Sequence, residues 1–201
     1  SVLHGEGIPV VPRGAGTGLS GGALATEGGV VLGTSRMTRI LSVDPENRTA
    51  RVECGVVNTA LGAAVADHGL HYAPDPSSQI ACSIGGNVAE NAGGVHCLKY
   101  GLTVNNLLAV ELVTIEGERV SIGGSGLDGP GYDLLALITG SEGMLGVVVE
   151  VTVKLLPIPQ RAQVAMAAFD DVEKAGQAVA DILAAGILPA GLEMMDNPAI
   201  R

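Results

Sequence analysis

The first hundred residues alternate between short apolar runs and one segment with helical spacing. Residues 8–11, 29–32 and 40–43 are largely apolar and of strand length, residues 49–53 predict a returning strand, and an Asp-Pro turn separates the last two segments. Residues 56–68 carry apolar side chains at helical spacing, and Gly69 follows as a stop signal. This part of the chain therefore predicts several strands and one helix.

The second hundred residues begin with two apolar runs joined by Glu116-Gly117-Glu118, which predict a hairpin. A glycine-rich segment at 123–131 predicts a mobile loop, and residues 132–138 predict a short helix. Residues 149–155 alternate apolar and polar side chains, which is typical of a half-exposed strand.

Pro157 and Pro159 mark a domain boundary. Beyond them the sequence predicts one β-α-β unit, with strands at QVAMAAF and PAGLEMM and a helix over 171–185. One such unit cannot cover its own sheet. We therefore expect residues 1–159 to form one domain that lacks its N-terminal part, and 160–201 to begin a truncated second domain.

Composition limits the function. Of the 201 residues 47% are hydrophobic, so the chain can bury a core, and its formal charge of −10 argues against nucleic acid or an anionic membrane surface as partner. A bound anion must then be held by backbone amides and single cations. Cys54, Cys82 and Cys97 form no metal-binding spacing, which favours reduced thiols in a cytoplasmic protein without a metal site. No apolar run reaches the roughly 20 residues of a membrane-spanning helix.

The first of three glycine clusters is PRGAGTGLSGGA, residues 12–23. Gly16, Gly18 and Gly21 satisfy the GxGxxG pattern of dinucleotide-binding Rossmann folds. The context does not fit, because the surrounding glycines oppose a helix and Asp44 lies too far along the chain. We interpret the cluster as an extended nest of amides for phosphate, with Arg13 as the nearby cation.

The second cluster lies within PDPSSQIACSIGGNVAENAGGVHCLKY, residues 74–100. Gly85 and Gly86 precede a short helix, and amides that point outward from a helix start form an anion site. Tyr100 is open to two interpretations, a core residue or a flavin contact. His96 and Cys97 are adjacent on a segment predicted as extended, where neighbours face opposite ways, so a joint metal or nucleophile role is disfavoured.

These two clusters, together with the third glycine cluster, which lies within YDLLALITGSEGMLGVVVEVTVKLLP at 132–157, resemble the FAD-linked oxidases of the vanillyl-alcohol oxidase type. Within that family the chain is most similar to the FAD-binding subunits of bacterial glycolate oxidases and to D-lactate dehydrogenases. The resemblance implies an α+β fold, a two-subdomain FAD-binding domain of the PCMH type. A small subdomain would carry the first cluster, and FAD would lie in a cleft between it and a larger subdomain.

The resemblance also implies which residues contact FAD. On one side of the pyrophosphate they are Pro12, Arg13, Gly14, Ala15, Gly16, Thr17, Gly18, Ser20 and Gly21. On the other side they are Pro74, Asp75, Ser78, Ser83, Gly85, Gly86 and Asn87, with Asn91 and Gly94 near the flavin. The rest of the cofactor wall is Glu142, Gly143, Gly146 and Val148. Covalent relatives place a histidine near Thr17, and 14–22 contains no His or Cys, so FAD is expected to bind without a covalent bond.

The implied activity is FAD-dependent oxidation of a small 2-hydroxy acid, glycolate or D-lactate, to the 2-oxo acid by hydride transfer. The electrons would pass to other glycolate oxidase subunits or to another carrier, and the catalytic and metal-binding residues would lie outside these 201 residues. Two alternatives remain open at this stage. One is another flavin oxidoreductase on this fold, such as an NADPH-dependent enolpyruvyl sugar-nucleotide reductase, and the other is a non-catalytic FAD-binding module.

Overall fold

The computed structural model of the chain describes residues 2–126, 129 and 131–200. The glycine-rich loop predicted at 123–131 includes Leu127, Asp128 and Pro130, which lie outside the described residues. The strands are β1 (Val10–Arg13), β2 (Val30–Gly33), β3 (Ile40–Asp44), β4 (Thr49–Glu53), β5 (Leu70–His71), β6 (Leu107–Val113), β7 (Arg119–Gly123), β8 (Val147–Lys154) and β9 (Leu156–Pro157). The helices are α1 (Val2–Gly5), α2 (Asn58–Ala66), α3 (Ile84–Glu90), α4 (Cys97–Tyr100), α5 (Leu134–Ile138), α6 (Val172–Ala184) and α7 (Asn197–Ile200), with a 3-10 turn at Thr103–Asn106.

The centre of the protein is a five-stranded antiparallel sheet in the order β3-β4-β8-β6-β7. Its inward residues alternate with outward ones, as expected for a sheet with one covered face. Val52, Val110, Val151 and Val153 are almost completely buried and pack against Leu61 and other side chains from α2 and α3. Small aliphatic residues thus build the core.

The first glycine cluster lies outside that sheet. Strand β1 pairs with β2 in parallel, and the long connection between them, 14–29, contains no helix. The argument against a Rossmann loop is therefore confirmed by the structure. The separate β1-β2 pair and the larger antiparallel sheet with its helices also confirm the predicted α+β fold class.

Most predicted elements are present with shifted ends. The 49–53 strand and the hairpin across Gly117 are confirmed, while the helix predicted over 56–68 begins at Asn58 and the helix predicted over 132–138 begins at Leu134. The alternating segment at 149–155 belongs to β8, which lies between β4 and β6. The predicted half-exposed strand is therefore confirmed, because even a central strand of a sheet with one covered face alternates buried and partly exposed side chains.

The predicted β-α-β unit after Pro159 is wrong in its two strands. Only its helix is present, as α6, with Asp171 as the N-cap residue and Ala185 as the C-cap residue. Residues 163–169 and 189–195 are irregular in the described structure. A strand exists only where a neighbouring strand accepts and donates its ladder hydrogen bonds, and within the described chain neither segment has such a neighbour.

The extended conformation predicted for His96 and Cys97 is also wrong. His96 is the N-cap residue of α4 and Cys97 begins that helix. The two preceding glycines allow a tight turn here, and the Gly94 N–H donates to Cys97 Sγ at 2.8 Å. The reason for excluding a joint role therefore fails, although the two side chains have different partners, since His96 Nδ1 lies 2.6 Å from Asp75 Oδ2.

Candidate cofactor-binding cleft

A cleft separates the first glycine cluster from helix α3. It consists of two adjoining cavities of about 270 and 70 Å³, which share lining residues from all three glycine clusters. The shared residues are Pro12, Gly14, Gly86, Ala89 and Glu142. An elongated ligand could therefore contact all three clusters at once.

Sixteen of the predicted cofactor residues line these cavities. In the larger cavity they are Pro12, Gly14, Ala15, Gly16, Thr17, Gly18, Ser78, Ser83, Gly86, Asn87 and Glu142. The smaller cavity adds Arg13, Gly85, Gly143, Gly146 and Val148.

Six predicted residues do not line either cavity: Ser20, Gly21, Pro74, Asp75, Asn91 and Gly94. Several of them support the wall from behind. The Pro74 carbonyl accepts from Asn58 Nδ2 at 2.9 Å. Asn91 ends α3 in the left-handed conformation (φ 50°), and its Oδ1 accepts from the Val104 N–H at 3.1 Å.

Asp75 and Gly94 contact each other instead of facing the cavities. A Cβ on Gly94 would lie 2.2 Å from the Asp75 carbonyl oxygen, so only glycine fits there without displacing the backbone. Asp75 Oδ2 pairs with His96, whereas its Oδ1 is buried without a hydrogen-bond partner among the described residues. These residues form a second polar group behind the cleft.

The cleft has two walls, which differ in their backbone amides. The first wall is the loop at 14–18, and the second wall is helix α3 with the residues that precede it. The N–H groups of residues 14–18 donate to no acceptor within the described chain, and that loop is largely exposed. Successive free amides of this kind form an anion-binding nest. The free amides that the phosphate-nest prediction requires are therefore present in the first wall, and phosphate binding by them stays a prediction.

The amides predicted to point outward at the start of α3 are already paired. The Ile84 N–H donates to the Val56 carbonyl at 2.8 Å, and the Gly85 N–H donates to the Cys54 carbonyl at 2.7 Å. Ser83 is the N-cap residue, and its Oγ accepts from the Gly86 N–H at 3.2 Å. The second wall is therefore not the amide cradle expected from its glycine doublet.

The glycines of the second wall allow close packing. A Cβ on Gly85 would lie 2.6 Å from Cys54 Cβ and 2.9 Å from the Cys54 carbonyl oxygen. A Cβ on Gly14, in the opposite wall, would lie 2.6 Å from Ser83 Oγ. These glycines bring the two walls and the end of β4 close together.

One buried polar side chain of the second wall has a hydrogen-bond donor without a full partner. Asn87 is 2% exposed and lines the larger cavity. Apart from a weak interaction with the Cys82 thiol, its Nδ2 has no hydrogen-bond partner among the described residues. A buried donor without an acceptor is costly, so an acceptor-rich ligand in the cleft would satisfy it.

The third cluster completes the wall and holds the C-terminal end of α3. The Gly140 N–H donates to the Val88 carbonyl at 2.8 Å, and the Glu142 N–H donates to the Ala89 carbonyl at 2.9 Å. These bonds satisfy carbonyls that a helix end leaves without partners. Glu142 has a positive φ of 52°, which costs free energy for a residue with a side chain.

Sequence reasoning missed several lining residues. In the larger cavity they are Leu19, Gly22, Ala23, Cys82, Ala89, Glu90 and Ala92, and in the smaller one Thr34, Cys54, Ile138, Ser141 and Val147. Cys54 directly follows the strand predicted at 49–53, and Thr34 follows the strand predicted at 29–32 after one residue, so both lie at strand ends, where polar site residues are common. Burial raises the pKa of the Cys54 and Cys82 thiols, so neither is an activated nucleophile.

The chemistry of the cleft fits the pyrophosphate portion of a dinucleotide. The free amides and Arg13 match phosphate oxygens, and Arg13 is the only Lys or Arg that lines the described cavities. The Asn87 amide matches a further acceptor, and the glycines leave room for a ligand close to the backbone.

Two protein families match this chain. The family described as FAD binding domain matches residues 1–123, and the family described as FAD linked oxidases, C-terminal domain, matches residues 158–201. No helix in the described part of the chain combines the length and the apolar character needed to cross a membrane.

Curated relatives match along nearly the whole chain. The glycolate oxidase subunit GlcD of Escherichia coli is 66% identical over 201 residues, covering 100% of this chain and 40% of that protein. The subunit of the same name in Bacillus subtilis is 46% identical, covering 96% and 41%. A D-lactate dehydrogenase of Archaeoglobus fulgidus is 42% identical, covering 98% and 44%. The chain thus spans about 40% of the length of these relatives.

A solved structure of an alkyldihydroxyacetonephosphate synthase superposes with a TM-score of 0.79. It covers 94% of this chain and 35% of that one at 24% identity, and it therefore supports the fold alone. The family match extends over more than half of the chain and agrees with the resemblance drawn from the three glycine clusters. The chain therefore belongs to the FAD-binding domain family of FAD-linked oxidoreductases, and its cofactor is FAD.

Proposed function

We propose that the protein to which this chain belongs oxidises a small 2-hydroxy acid, glycolate or D-lactate, to the 2-oxo acid. The observation that carries the proposal is the 66% identity to the glycolate oxidase subunit over all 201 residues. The substrate would lose a hydride from its hydroxyl-bearing carbon and a proton from the hydroxyl group. FAD supplies the hydride acceptor when it is bound.

The cleft is the proposed FAD site. The exposed amides of residues 14–18 and Arg13 would bind the pyrophosphate, and Asn87 would donate to another acceptor of the cofactor. The other predicted residues that line the cavities remain proposed contacts. The six that line neither cavity would act by positioning their neighbours.

We propose that residues 160–201 begin a substrate domain, as the family match from residue 158 supports. Small carboxylates need cations for binding, yet Arg13 is the only basic residue of the described cavities. The base that removes the hydroxyl proton must also be positioned near the flavin. Residues 1–201 alone are therefore expected to bind FAD without oxidising a hydroxy acid.

Anaerobic mixing tests the activity. The FAD-loaded full-length protein is mixed with millimolar glycolate, D-lactate or, as the mirror-image control, L-lactate, while flavin absorbance is followed. We expect glycolate or D-lactate to bleach the flavin of the full-length protein. Neither acid should bleach the flavin of the FAD-loaded 201-residue chain. NADPH is tested in the same way. Bleaching by NADPH and by none of the hydroxy acids would favour the reductase alternative, and no bleaching by NADPH or by any hydroxy acid would favour a non-catalytic module.

FAD is expected to bind without a covalent bond. No His or Cys occurs in 14–22, and the two cavity-lining thiols have raised pKa values. Acid precipitation should therefore release yellow FAD into the supernatant. Yellow colour that stays in the washed pellet would contradict this expectation.

The electron acceptors are proposed to be other subunits of a glycolate oxidase complex, or a different carrier. The support is that two relatives carry the word subunit in their names. A cytoplasmic location is proposed from the three cysteines, all of which are free thiols. Co-purification of the tagged full-length protein with proteins that accept electrons from its reduced flavin would test the proposal on electron acceptors.

A further inference from the structure

We propose that Glu90 helps to bind the cofactor by accepting hydrogen bonds from its sugar hydroxyl groups, in either the adenosine ribose or the ribityl chain. This inference rests on the proposed FAD site in the cleft and extends it to a residue that the sequence motifs did not indicate. Glu90 is the last residue of α3 and lines the larger cavity.

The carboxylate of Glu90 lies directly against the first glycine cluster. Its Oε2 accepts from Ser20 Oγ at 3.3 Å, and a Cβ on Gly18 would lie 2.6 Å from Oε1. Glu90 is exposed, so the carboxylate can accept further hydrogen bonds from a ligand. It therefore stands beside the loop whose amides are free.

The charges of the cleft decide which part of a dinucleotide can lie beside Glu90. Two carboxylates, those of Glu90 and Glu142, line the larger cavity. A phosphate next to either of them would be repelled, because two like charges at contact distance raise the free energy even where water screens them. The pyrophosphate must therefore lie toward Arg13 and the amides beside it near Gly16, and a neutral donor must lie at the Gly18 end of the loop, beside Glu90. The hydroxyl groups of a sugar are such donors, and two vicinal ones match the two carboxylate oxygens.

Asn87 provides independent support for a ligand at this wall. Its side chain is 2% exposed, and its Nδ2 lacks a hydrogen-bond partner in the described chain beyond the weak thiol interaction. Residues three apart on a helix lie on the same face, so Asn87 and Glu90 follow each other along the wall. One offers a free donor and the other a free acceptor. This order suits a ligand with acceptor oxygens and hydroxyl donors next to each other.

The sign of one mutational effect tests the proposal. FAD affinity of the purified, flavin-free full-length protein is measured by calorimetry for the wild type and for Glu90→Gln. We expect the variant to bind FAD about tenfold more weakly, because a charged acceptor is replaced by a neutral one. If the carboxylate instead faces the pyrophosphate, removing its charge would strengthen binding. Stronger or unchanged binding overturns the proposal.

A competitor identifies which hydroxyl groups are bound. ADP contains the adenosine ribose and the pyrophosphate but lacks the ribityl chain. An equal loss of ADP and FAD affinity in Glu90→Gln assigns the contact to the ribose, and a loss for FAD alone assigns it to the ribityl chain.

Ser20→Ala separates a ligand contact from loop positioning. It removes the hydroxyl that donates to Glu90 and leaves the carboxylate in place. We expect Ser20→Ala to weaken FAD binding much less than Glu90→Gln does. Equal losses would mean that Glu90 acts only by holding the loop, which would overturn the proposal. If the wild-type protein binds no FAD, the proposed cofactor site itself fails, a result distinct from both outcomes.

Discussion

The two walls of the cleft are both rich in glycine, but the glycines serve different purposes. In the loop at 14–18 the backbone is exposed and its amides are free, so the loop can surround an anion. At Gly85 and Gly86 the amides are paired with Cys54 and Ser83, and a Cβ at residue 85 would overlap the end of β4. Glycine spacing alone does not distinguish a binding loop from a close packing contact. The distinction depends on whether the amides have partners.

The largest expected effect is on stability, at Gly85 in the second wall, which we call the packed wall. Gly85→Ala would force a Cβ to within 2.9 Å of the Cys54 carbonyl oxygen, where the backbone cannot move easily. We expect the free energy of unfolding to fall by about 2–3 kcal/mol or more, measured by urea denaturation. Gly62→Ala is the control, because its Cβ would meet no atom within 4 Å and it lies in α2. That variant should gain up to about 1 kcal/mol. Equal stability of both variants would contradict the packing role.

The next effect concerns Gly86, which lines both cavities. Gly86→Glu would place a side chain and a negative charge inside the cleft, so FAD content should fall by at least about tenfold while the fold persists. The flavin-to-protein absorbance ratio measures the first effect, and circular dichroism measures the second. Gly86→Ala is the control, because its Cβ would meet only Ser83 Oγ, at 3.0 Å. A folded Gly86→Glu protein with full FAD occupancy would remove this residue from the site.

A smaller effect on FAD affinity is expected at Arg13, beside the loop at 14–18, which forms the first wall and which we call the open wall. Arg13→Gln removes the only basic side chain of the described cavities, and we expect FAD affinity to fall about tenfold. The salt dependence of FAD binding should also flatten, because one charge pair is lost. Arg161→Gln is the control, since Arg161 is exposed and lines neither cavity. Titrations at low and high salt make the comparison, and a parallel response of the two variants would argue against a phosphate contact by Arg13.

The smallest effect is expected for the helix cap of the packed wall. Ser83→Ala leaves the Gly86 N–H without its side-chain acceptor and should lower the free energy of unfolding by about 1 kcal/mol. Its FAD affinity should change less than that of Arg13→Gln. Thermal denaturation and FAD titration test both statements, with Ser42→Ala as an exposed control. A greater loss of FAD affinity than in Arg13→Gln would show that the two walls share phosphate binding.

The sequence was sufficient for the sheet strands and for the location of the cleft. Alternating valines identified β8, the Asp-Pro turn placed the returning strand β4, and the three glycine clusters supplied sixteen of the residues that line the cavities. It was not sufficient for amide pairing at Gly85, because the Cys54 carbonyl that accepts this hydrogen bond is distant in sequence. Glu90 was missed because a single acidic residue near a helix end has no distinctive pattern. The strands expected after Pro159 were wrong because alternation cannot reveal whether a partner strand exists.

Helix α3 is fixed at both ends by distant segments, and this determines when the cleft can form during folding. Carbonyls of residues 54 and 56 accept from its first turn, and amides of residues 140 and 142 donate to its last turn. Closing such long loops costs chain entropy before any contact repays it. A seven-residue helix is not stable in isolation, so α3 should become ordered only after both segments have assembled. The cofactor would then bind to a nearly complete domain and could not act as a template for its early folding.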